Sequence, residues 1–549
     1  SRHQHFVTLG QAYALTGEES FAESLVSQLI GWMDANPPKR GMNWASSLEV
    51  AFRAIAWTWA LHLIRRSPVL TPPIYRRTLG MLHLHARHIE GFLSTYFSPN
   101  THLTGEALGL VYLGAHFPEL RGARRWRERG EAILRAELVR QVRPDGVYFE
   151  QSTYYHRYTA DFYLHLALIN RGSGRGLDPA LGSALSGLLD HIVALARPDR
   201  RWPLLGDDDG GRLISFNSRD SNDFRDTVAL GGALLERPDY CFAAGAAAPE
   251  LVWLLGAGGP ARFDRVGIRT PALPQAFAEG GYFVMRDGWE AGANYLLVDC
   301  GPIGGLNGGH GHADTLAVEI AAHGEPILVD PGTFSYVGEE RNAFRCSLAH
   351  STVTVEGRSS SVPGTPFRWQ NRAEAKLIRW EEGPAADYFE GLHDGYAGLD
   401  PAVTHRRAIL FLRGRFWVVR DVIESVGSPA YEVRWHCAPG VAVAVGAGEA
   451  RLVGPAGAGL HLAASAGAIG AEESWTSPAY GVRHRSQTCV CRVSGGGIRE
   501  VITVLVPCKA AEAPEVEFLQ GAVRVTTGGR TDTIVLSGGP LLGIAPAGT

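Results

Sequence analysis

The spacing of apolar residues changes from helix-like to strand-like along the chain, and this change limits the fold more than any other feature. Up to about residue 240, apolar residues recur at steps of three and four, as in NWASSLEVAFRAIAWTWALHLI from Asn43, which predicts amphipathic helices. Beyond about residue 275 they alternate, as in NYLLVDCG, LAVEIAA and HSTVTVEG, which predicts short strands. Because strands and helices do not alternate with one another, Rossmann and TIM-barrel folds are disfavoured.

The two patterns predict a multidomain α+β protein. Helices are expected from Asn43, as the cap, to Ile64, over 101–117, from Arg125 onward, and after a Ser152 cap. The segments PILVDPG, RRAILFLRGRFWVVRDVI, REVITVLVP and DTIVLSGG read as further strands, which together suit a large antiparallel assembly.

An Ala-, Gly- and Pro-rich stretch between about Cys241 and Pro274 separates the two patterns and suits a boundary between domains. We therefore place the domains at 1–260 and 275–549. A chain of 549 residues is longer than one hydrophobic core usually supports, which agrees with this division.

Charge, hydropathy and missing motifs exclude several classes of function. The 56 acidic residues outnumber the 52 Lys and Arg, so no overall basic field would gather nucleic acid. No stretch approaches the roughly 18 uninterrupted apolar residues of a membrane span, so membrane insertion is not expected. The chain lacks a G-x-S-x-G elbow, a P-loop, a G-x-G-x-x-G after a strand and an H-E-x-x-H, which disfavours nucleotide, hydride and serine-hydrolase chemistry.

The stretch GGLNGGHGHADTLAVEI places His310, His312 and Asp314 at alternate positions. In a strand these three side chains would share one face. Asp330 and His350 also fall near predicted strand ends, and a set of His and Asp from adjacent strands suits a zinc ion. Hydrogen-bonded structural histidines remain the alternative interpretation.

The segment DGVYFEQSTYYHRY crowds Tyr154, Tyr155, His156 and Tyr158 into the first turn of a predicted helix. Tyrosine and histidine at an open helix end can exchange protons with a substrate when burial and neighbouring charge tune them. An aromatic cluster packed between helices is the alternative, and the residues alone favour it.

Two further segments carry polar side chains. In SPNTHLTGEALGL, Asn100 and His102 could donate hydrogen bonds to a substrate carboxylate at a helix N-terminus, with Glu106 on the same face as His102; ordinary capping is the alternative. In RWPLLGDDDGGR, we expect residues 207–209 to form a solvated acidic turn rather than a calcium loop or a substrate-positioning loop.

These motifs occur in a fixed order: NWASSLEVAFRA, NTHLTGEALGL, DGVYFEQSTYYHRY, GDDDGGR, GGHGHADTLAVEI, LVDPGTFSY and AHSTVTV. With that order the chain resembles the heparinase II/III family of polysaccharide lyases. The resemblance implies an incomplete α/α toroid followed by an antiparallel β-sandwich, or super-sandwich, with the active-site cleft between them. It also implies that part of the toroid precedes Ser1, and we expect a periplasmic or secreted protein.

Carried over position by position, the resemblance gives several residues a role at the substrate. Tyr155 matches the family's acid, which is also a candidate base, with His156 beside it, and His310 matches a histidine near the catalytic centre. Asn43 and Tyr336 are further substrate-binding candidates.

The resemblance also implies a metal site. His312, Asp330 and His350 match the ligands of a zinc ion whose role is mainly structural. Asp314 then becomes a supporting residue outside the ligand set.

Asn100 and His102 match the family's carboxylate-neutralising segment, with one departure. Many relatives have Asn directly before the histidine, and here that position is Thr101. Either Asn100 takes over the role from one place earlier or neutralisation has changed. Glu106 matches an acidic residue of that helix and is a substrate-binding candidate.

The implied function is cleavage of an anionic, uronate-containing polysaccharide by β-elimination, with heparan sulfate, alginate or a bacterial exopolysaccharide as candidate substrates. A glycoside hydrolase is an alternative, with Glu106, Glu150 and Asp208 as its candidate carboxylates. A non-catalytic carbohydrate-binding protein is another alternative, and a homodimer is left open.

Overall fold

The computed structural model describes residues 2–272 and 275–536, with the backbone of 542–544. Helices fill the first half of the chain and strands the second, which confirms the predicted order of elements. The helices of the first half are α1 (His5–Thr16), α2 (Glu19–Ala35), α3 (Ser47–Leu63), α4 (Pro72–Gly91), α5 (Thr101–His116), α6 (Ala123–Gln141), α7 (Thr153–Gly172), α8 (Pro179–Leu195), α9 (Arg225–Leu235), α10 (Pro238–Ala244), α11 (Glu250–Leu255) and α12 (Gly259–Val266).

The helices form two layers, as in an incomplete α/α toroid. The odd-numbered helices α1 to α9 contact one another in succession, while α2, α4, α6, α8 and α10 each pack on the outside of an odd-numbered neighbour. Inner helices α3 and α5 are therefore buried along nearly their whole length, whereas α4 and α6 bury one face. The described residues contain no helix with the length and apolar composition of a membrane-spanning segment.

Two predicted helix starts have different outcomes. The helix expected to begin at Asn43 begins at Ser47, because Ser46 is the cap and Asn43 lies in a separate 3-10 turn, Met42–Trp44. The Ser152 cap is confirmed: its hydroxyl accepts a hydrogen bond from the backbone N–H of Tyr155 at 3.2 Å.

The Ala-, Gly- and Pro-rich stretch is more helical than expected. Helices α10, α11 and α12 continue to Val266, beyond the predicted domain end at residue 260, and α12 packs against α9. Alanine is the strongest helix former, and the buried side chains of Leu251 and Phe263 give these short helices an apolar contact. Residues 273 and 274, in the predicted boundary, lie outside the described residues.

The second half forms antiparallel ladders. It also contains α13 (Glu339–Arg345) and a 3-10 turn, Ser347–Ala349. The strands are β1 (Ala276–Phe277), β2 (Tyr282–Arg286), β3 (Tyr295–Asp299), β4 (Val318–Ala322), β5 (Glu325–Leu328), β6 (Val353–Val355), β7 (Val362–Pro363), β8 (Trp369–Asn371), β9 (Ala375–Glu382), β10 (Ala386–His393), β11 (Val403–Leu412), β12 (Phe416–Ser425), β13 (Ala430–His436), β14 (Ala442–Val445), β15 (Glu449–Val453), β16 (Ala458–Ala464), β17 (Ala468–Ala479), β18 (Val482–Ser494), β19 (Gly497–Lys509), β20 (Glu515–Leu519), β21 (Ala522–Thr527), β22 (Arg530–Leu536) and β23 (Leu542–Ile544).

The strands are arranged in stacked sheets. The orders are β1-β2-β3-β4-β5, β14-β15-β16-β19-β12-β11-β10-β9, β17-β18-β13-β6 and β20-β21-β22-β23, with β7 and β8 as a separate pair. One hydrophobic core joins the first sheet to the eight-stranded sheet and to β6, β13 and β18. Another core packs the sheet of β20–β23 on the opposite face of the eight-stranded sheet. The result is the predicted antiparallel super-sandwich.

The first sheet joins the two halves because both of its faces are buried. Along β2, Tyr282 and Val284 pack into the helical core, while Phe283 and Met285 pack into the sandwich core. Arg286 adds hydrogen bonds to two carbonyl oxygens at the end of α8, at 2.5 and 3.0 Å. The surface between the halves is therefore held in place by apolar packing and buried polar contacts.

The prediction that His310, His312 and Asp314 lie on one strand is wrong. Residues 300–317 form an irregular loop, and β4 begins only at Val318. Glycine explains the difference, because Gly308 has a φ of 63° and a Cβ on Gly311 would lie 1.6 Å from a backbone oxygen. Of the predicted strand DTIVLSGG, the part to Leu536 is confirmed, and the rest lies outside the described residues.

Candidate active site

A cavity of about 480 Å³ lies between the helical half and the sandwich. The first turns of α3, α5 and α7 supply one wall, because these inner helices all begin at the same end of the toroid. Loops of the sandwich supply the other wall. The predicted site residues that line the cavity are Asn100, His102, Tyr155, His310 and Tyr336.

Tyr155 and His310 lie against each other in this cavity. Their rings stack with centroids 4.0 Å apart and planes 22° from parallel. The Tyr155 hydroxyl lies 3.2 Å from Asp209 Oδ2 and 3.1 Å from the Tyr336 hydroxyl. A phenol from the helical half thus meets an imidazole and a second phenol from the sandwich.

The surroundings keep both phenols protonated. Burial and the charge of Asp209 raise the pKa of Tyr155 well above 10. Burial and the neighbouring Tyr155 likewise raise the pKa of Tyr336 well above 10. Each hydroxyl can therefore donate a proton at neutral pH, and neither is a ready base.

Carboxylates lie near both ring nitrogens of His310, and the one at Nδ1 forms a hydrogen bond that orients the ring. Its Nδ1 lies 3.0 Å from Asp207 Oδ2, and its Nε2 lies 3.8 Å from Glu150 Oε1. Burial alone would lower the pKa of His310, but the hydrogen bond to Asp207 and the charge of Glu150 outweigh burial and raise the pKa. Because an ionised carboxylate only accepts hydrogen bonds, Nδ1 carries a proton and, in the neutral ring, Nε2 offers its lone pair.

Asp207 holds a second histidine with its other oxygen. His312 Nε2 lies 3.0 Å from Asp207 Oδ1, and Arg341 donates to both oxygens, from Nη2 at 2.9 Å and from Nη1. Burial would raise the pKa of Asp207, but the Arg341 guanidinium and the two histidines hold it well below its usual range. The same argument then leaves His312 Nδ1 as the free lone pair.

The expectation of a solvated acidic turn at residues 207–209 is therefore wrong for its first two members. Asp207 is fully buried and Asp208 is 2% exposed, and only Asp209 reaches the cavity. The preceding Gly206 allows this burial. Gly206 has a φ of 68°, and a Cβ there would lie 2.7 Å from the backbone oxygens of Gln151 and His310. The segment before α7 and the loop that carries His310 both approach the backbone closely here, which only a glycine allows.

The predicted metal ligands meet in one buried group, and the structure adds a fourth member. Ligand atoms of His312, Asp314, Asp330 and His350 all lie within 4.8 Å of one another, so Asp314 is as close as the predicted three. His350 Nδ1 is 3.0 Å from Asp330 Oδ2. Burial raises the pKa of Asp330 to about 6, and burial also raises the pKa of Asp314.

These residues fit a metal ion. Two buried ring nitrogens, His312 Nδ1 and His350 Nε2, have no hydrogen-bond partner among the described residues. Nitrogen lone pairs beside two carboxylates form a donor set that suits zinc, and a cation would offset the cost of burying both carboxylates.

Asn100 and Thr101 are both engaged by Glu150. Asn100 caps α5, with its Oδ1 accepting from the His102 backbone N–H at 3.1 Å, and donates its Nδ2–H to Glu150 Oε1 at 2.5 Å. The Thr101 hydroxyl donates to Glu150 Oε2 and lies 2.8 Å from the Tyr148 hydroxyl. The His102 side chain is thus the cavity-lining donor of this segment that is not engaged by Glu150.

Apart from the predicted metal ligands, three predicted site residues lie away from the cavity. His156 points into the helical core, where its Nδ1 accepts from the Tyr148 backbone N–H at 3.2 Å and its Nε2 lies 2.9 Å from the Leu188 oxygen. Glu106 is fully buried, and Asn43 donates to Asn36 at 2.6 Å. Sequence reasoning gave no role to Arg341 and named Glu150 only for a hydrolase. It considered residues 207–209 as a substrate-positioning loop only as the less favoured alternative.

Comparison with protein families covers most of the chain. The heparinase II/III N-terminus model matches residues 1–220, and the heparinase II/III-like C-terminal model matches residues 269–519. The two models describe the N-terminal and C-terminal parts of proteins of one family, and they match this chain in the same order.

Curated relatives carry the name heparin-sulfate lyase. The protein from Pedobacter heparinus is 24% identical over 461 residues, and the one from Bacteroides stercoris is 25% identical over 473. Each alignment covers 79% of this chain. The chain spans 61% and 62% of the length of these relatives.

Solved structures share the fold. The crystal structure of heparinase III superposes with a TM-score of 0.78 at 18% identity, covering 99% of this chain and 82% of that chain. Heparan sulfate lyase from Pedobacter heparinus superposes with a TM-score of 0.70 at 20% identity, covering 97% and 81%. At these identities the structural likeness shows the architecture alone. The two family models, which together match most of the chain, show its family: the chain belongs to the heparinase II/III family.

Proposed function

We propose that this protein is a polysaccharide lyase that cleaves a uronate-containing glycosaminoglycan by β-elimination. The stacked Tyr155 and His310 in a cavity between toroid and sandwich carry this proposal. The names of the relatives, heparin-sulfate lyases, support heparan sulfate as the first substrate to test.

β-Elimination makes three demands on a site. The substrate carboxylate needs hydrogen-bond donors that also stabilise the enolate-like intermediate formed when C5 loses its proton. A base must take that proton, and an acid must protonate the leaving oxygen at C4. The C4–O4 bond breaks as the C4–C5 double bond forms, and no water is consumed.

Tyr155 is the acid in this proposal. Its pKa is raised well above 10, so the phenol arrives protonated. The Tyr336 hydroxyl, 3.1 Å away, can donate to Tyr155 after that proton has left. The developing negative charge on the phenolic oxygen would then be stabilised by a hydrogen bond that is already in place.

His310 is the base. Its Nδ1–H is donated to Asp207, and a carboxylate partner both fixes this tautomer and strengthens Nε2 as a proton acceptor. Nε2 lies on the Glu150 side of the cavity. After the transfer, Asp207 and Glu150 stabilise the imidazolium that forms.

The carboxylate-neutralising role falls to His102 in this proposal, together with Asn100 if its amide leaves Glu150. Burial lowers the pKa of His102, so at neutral pH the ring is uncharged and donates one N–H. The beginning of α5 adds the partial positive charge of a helix N-terminus, which favours an anion.

We propose that His312, Asp314, Asp330 and His350 hold a zinc ion with a structural role. A bound cation there would tie the loop after residue 311 to the segments that follow β5 and precede β6. The ion would support His310 indirectly, because Asp207 contacts both His310 and the proposed ligand His312.

The test is a panel of heparan sulfate, alginate and a bacterial exopolysaccharide, followed by the ultraviolet absorbance of the unsaturated uronate. We expect absorbance to rise with at least one of these polymers. A flat trace with every uronate polymer, from protein with its full metal content, would contradict the lyase proposal. Saturated products would instead favour a hydrolase, for which Glu150 is the candidate carboxylate that lines the cavity.

A further inference from the structure

Two aromatic side chains stand almost fully in solvent at the rim of the cavity. Tyr96 is 85% exposed and Phe97 is 88% exposed, and Phe97 also lines the cavity. Their rings meet edge to face with centroids 5.2 Å apart. Exposing neighbouring aromatic rings costs hydrophobic free energy, so this arrangement at a cavity mouth indicates a surface that a ligand covers.

The loop that carries these rings, residues 92–100 between α4 and α5, is fixed on both sides. Before the rings, the backbone N–H and the hydroxyl of Ser94 donate to Glu106 at 2.7 and 2.6 Å. After them, the Pro99 oxygen accepts from Gln141 Nε2 at 3.1 Å. Because both ends of the loop are held, a ligand that covers the rings loses less of its binding energy to ordering the loop.

The facing wall of the cavity mouth is also apolar. Leu306 and Phe367, on loops of the sandwich, line the same cavity and are 46% and 43% exposed. The Phe367 ring lies 5.1 Å from Tyr336 and 5.8 Å from His310, between centroids. The cavity therefore has a polar floor and an apolar mouth.

We propose that Tyr96 and Phe97 form a stacking platform for a pyranose ring of the polysaccharide, next to the sugar whose carboxylate lies in the cavity. A pyranose ring presents an apolar C–H face and a polar hydroxyl edge, which matches an aromatic surface beside a polar floor. The polymer's identity rests on the proposed function. The platform adds contact only for chains long enough to extend beyond the cavity.

The first experiment compares chain lengths. With heparan sulfate polymer, Phe97→Ala and Tyr96→Ala should each raise KM about fivefold to tenfold and leave kcat within about twofold. With the shortest cleavable oligosaccharide, the increase in KM should be smaller in both variants, because fewer sugars extend beyond the cavity onto the rings. Phe97→Tyr should restore the polymer KM, and Val426→Ala, at an equally exposed apolar residue on the turn after β12, is the matched control.

An unchanged polymer KM in both alanine variants would overturn the platform. So would a wild-type dimer that Phe97→Ala converts to a monomer in sedimentation, since the rings would then be a contact between copies of the chain. Affinity electrophoresis in gels containing heparan sulfate, alginate or hyaluronan separates this inference from the lyase proposal. Retardation of the wild type that is lost in Phe97→Ala supports the platform even where no polymer is cleaved, and no retardation in any gel overturns it.

Discussion

Asp207 lies between two buried sites, and they differ in whether their polar groups have hydrogen-bond partners. On the cavity side, Asp207 holds His310, whose stacking partner Tyr155 already has hydrogen-bond partners in Tyr336 and Asp209. On the other side, Asp207 holds His312, whose Nδ1 has no partner within the described part of the chain.

This difference indicates which site suits a substrate that binds and leaves, and which suits a ligand that stays bound. Groups on the cavity side satisfy one another, so a substrate can replace those contacts and leave again without stranding a buried polar atom. The group of His312, Asp314, Asp330 and His350 is buried and carries ring nitrogens without hydrogen-bond partners among the described residues, beside buried carboxylates, and the proposed cation would satisfy them. Catalysis and stability should therefore separate on mutation, except at Asp207.

Tyr155→Phe should give the largest effect and break only the cavity side. Loss of the proton donor should lower kcat by about 10²- to 10⁴-fold, while polymer affinity and the thermal midpoint stay near those of the wild type. Steady-state kinetics, affinity electrophoresis and calorimetry measure the three quantities. Tyr336→Phe, which keeps the ring and removes the neighbouring hydroxyl, is the matched variant and should cost less. Turnover close to wild type in Tyr155→Phe would remove this residue from the chemistry.

Asp207→Asn should break both sides at once. An amide offers one acceptor and one donor group, so it cannot accept from His310 and His312 together, and Arg341 loses its bidentate carboxylate. We expect kcat and metal affinity each to fall by about 10- to 100-fold, measured by kinetics and by metal analysis during dialysis.

The control for Asp207→Asn is Asp387→Asn. Asp387 is also fully buried and bidentate to an arginine, with Arg413 at 2.6 and 3.1 Å, but it lies on β10 and touches neither histidine. It should lose stability and keep both kcat and metal content. If Asp207→Asn lowered only kcat or only the metal affinity, the two sites would be independent of each other.

The sequence predicts the architecture well and the connection between the sites poorly. Periodicity is a local signal, so it correctly separates inner helices such as α5 and α7 from strands such as β11 and β12. Spacing also places Tyr155 and the cap Ser152, because a first helix turn has a fixed geometry. The His310 to Asp314 segment misled because alternation suggests a strand, whereas its glycines impose a loop.

The contacts of Asp207 could not be read from the sequence. It lies 103 residues from His310 and 134 from Arg341, and only the packing of the toroid on the sandwich brings them together. Three consecutive aspartates look like a solvated turn, since an unpaired buried carboxylate is costly. The distant arginine and the two histidines change that balance. The predicted catalytic role of His156 was wrong for a local reason: consecutive residues in a helix point to different faces, so His156 does not share the cavity with Tyr155.

Asp330→Ala should break only the metal side. Metal content should fall, and the thermal midpoint should drop by several degrees, because the ion would no longer join separate segments of the sandwich. We expect kcat to stay within about fivefold of the wild type, since Asp207 still accepts from His310. Chelation of the wild type should reproduce the drop, and added zinc should reverse it there but not in Asp330→Ala. Carefully purified wild type with no bound zinc would contradict the metal assignment.

Glu106→Gln should give the smallest effect and test a buried carboxylate that lies outside both sites. Burial raises the pKa of Glu106 to about 7, against about 4.5 when the chain is unfolded. The folded state then binds the proton more tightly, so this contribution to stability is complete below pH 4.5 and is lost as the pH rises through about 7. Glutamine does not titrate and can still pair with Ser94. The thermal midpoint of the variant, relative to the wild type, should therefore be about 2 °C higher at pH 8 than at pH 5 in calorimetry. The control is Glu90→Gln, where the hydrogen bond from Arg125 lowers the pKa. Its contribution to stability is lost only as the pH falls below about 4.5, so this variant should show almost no difference between pH 5 and pH 8. Parallel curves for Glu106→Gln and the wild type would contradict the raised pKa.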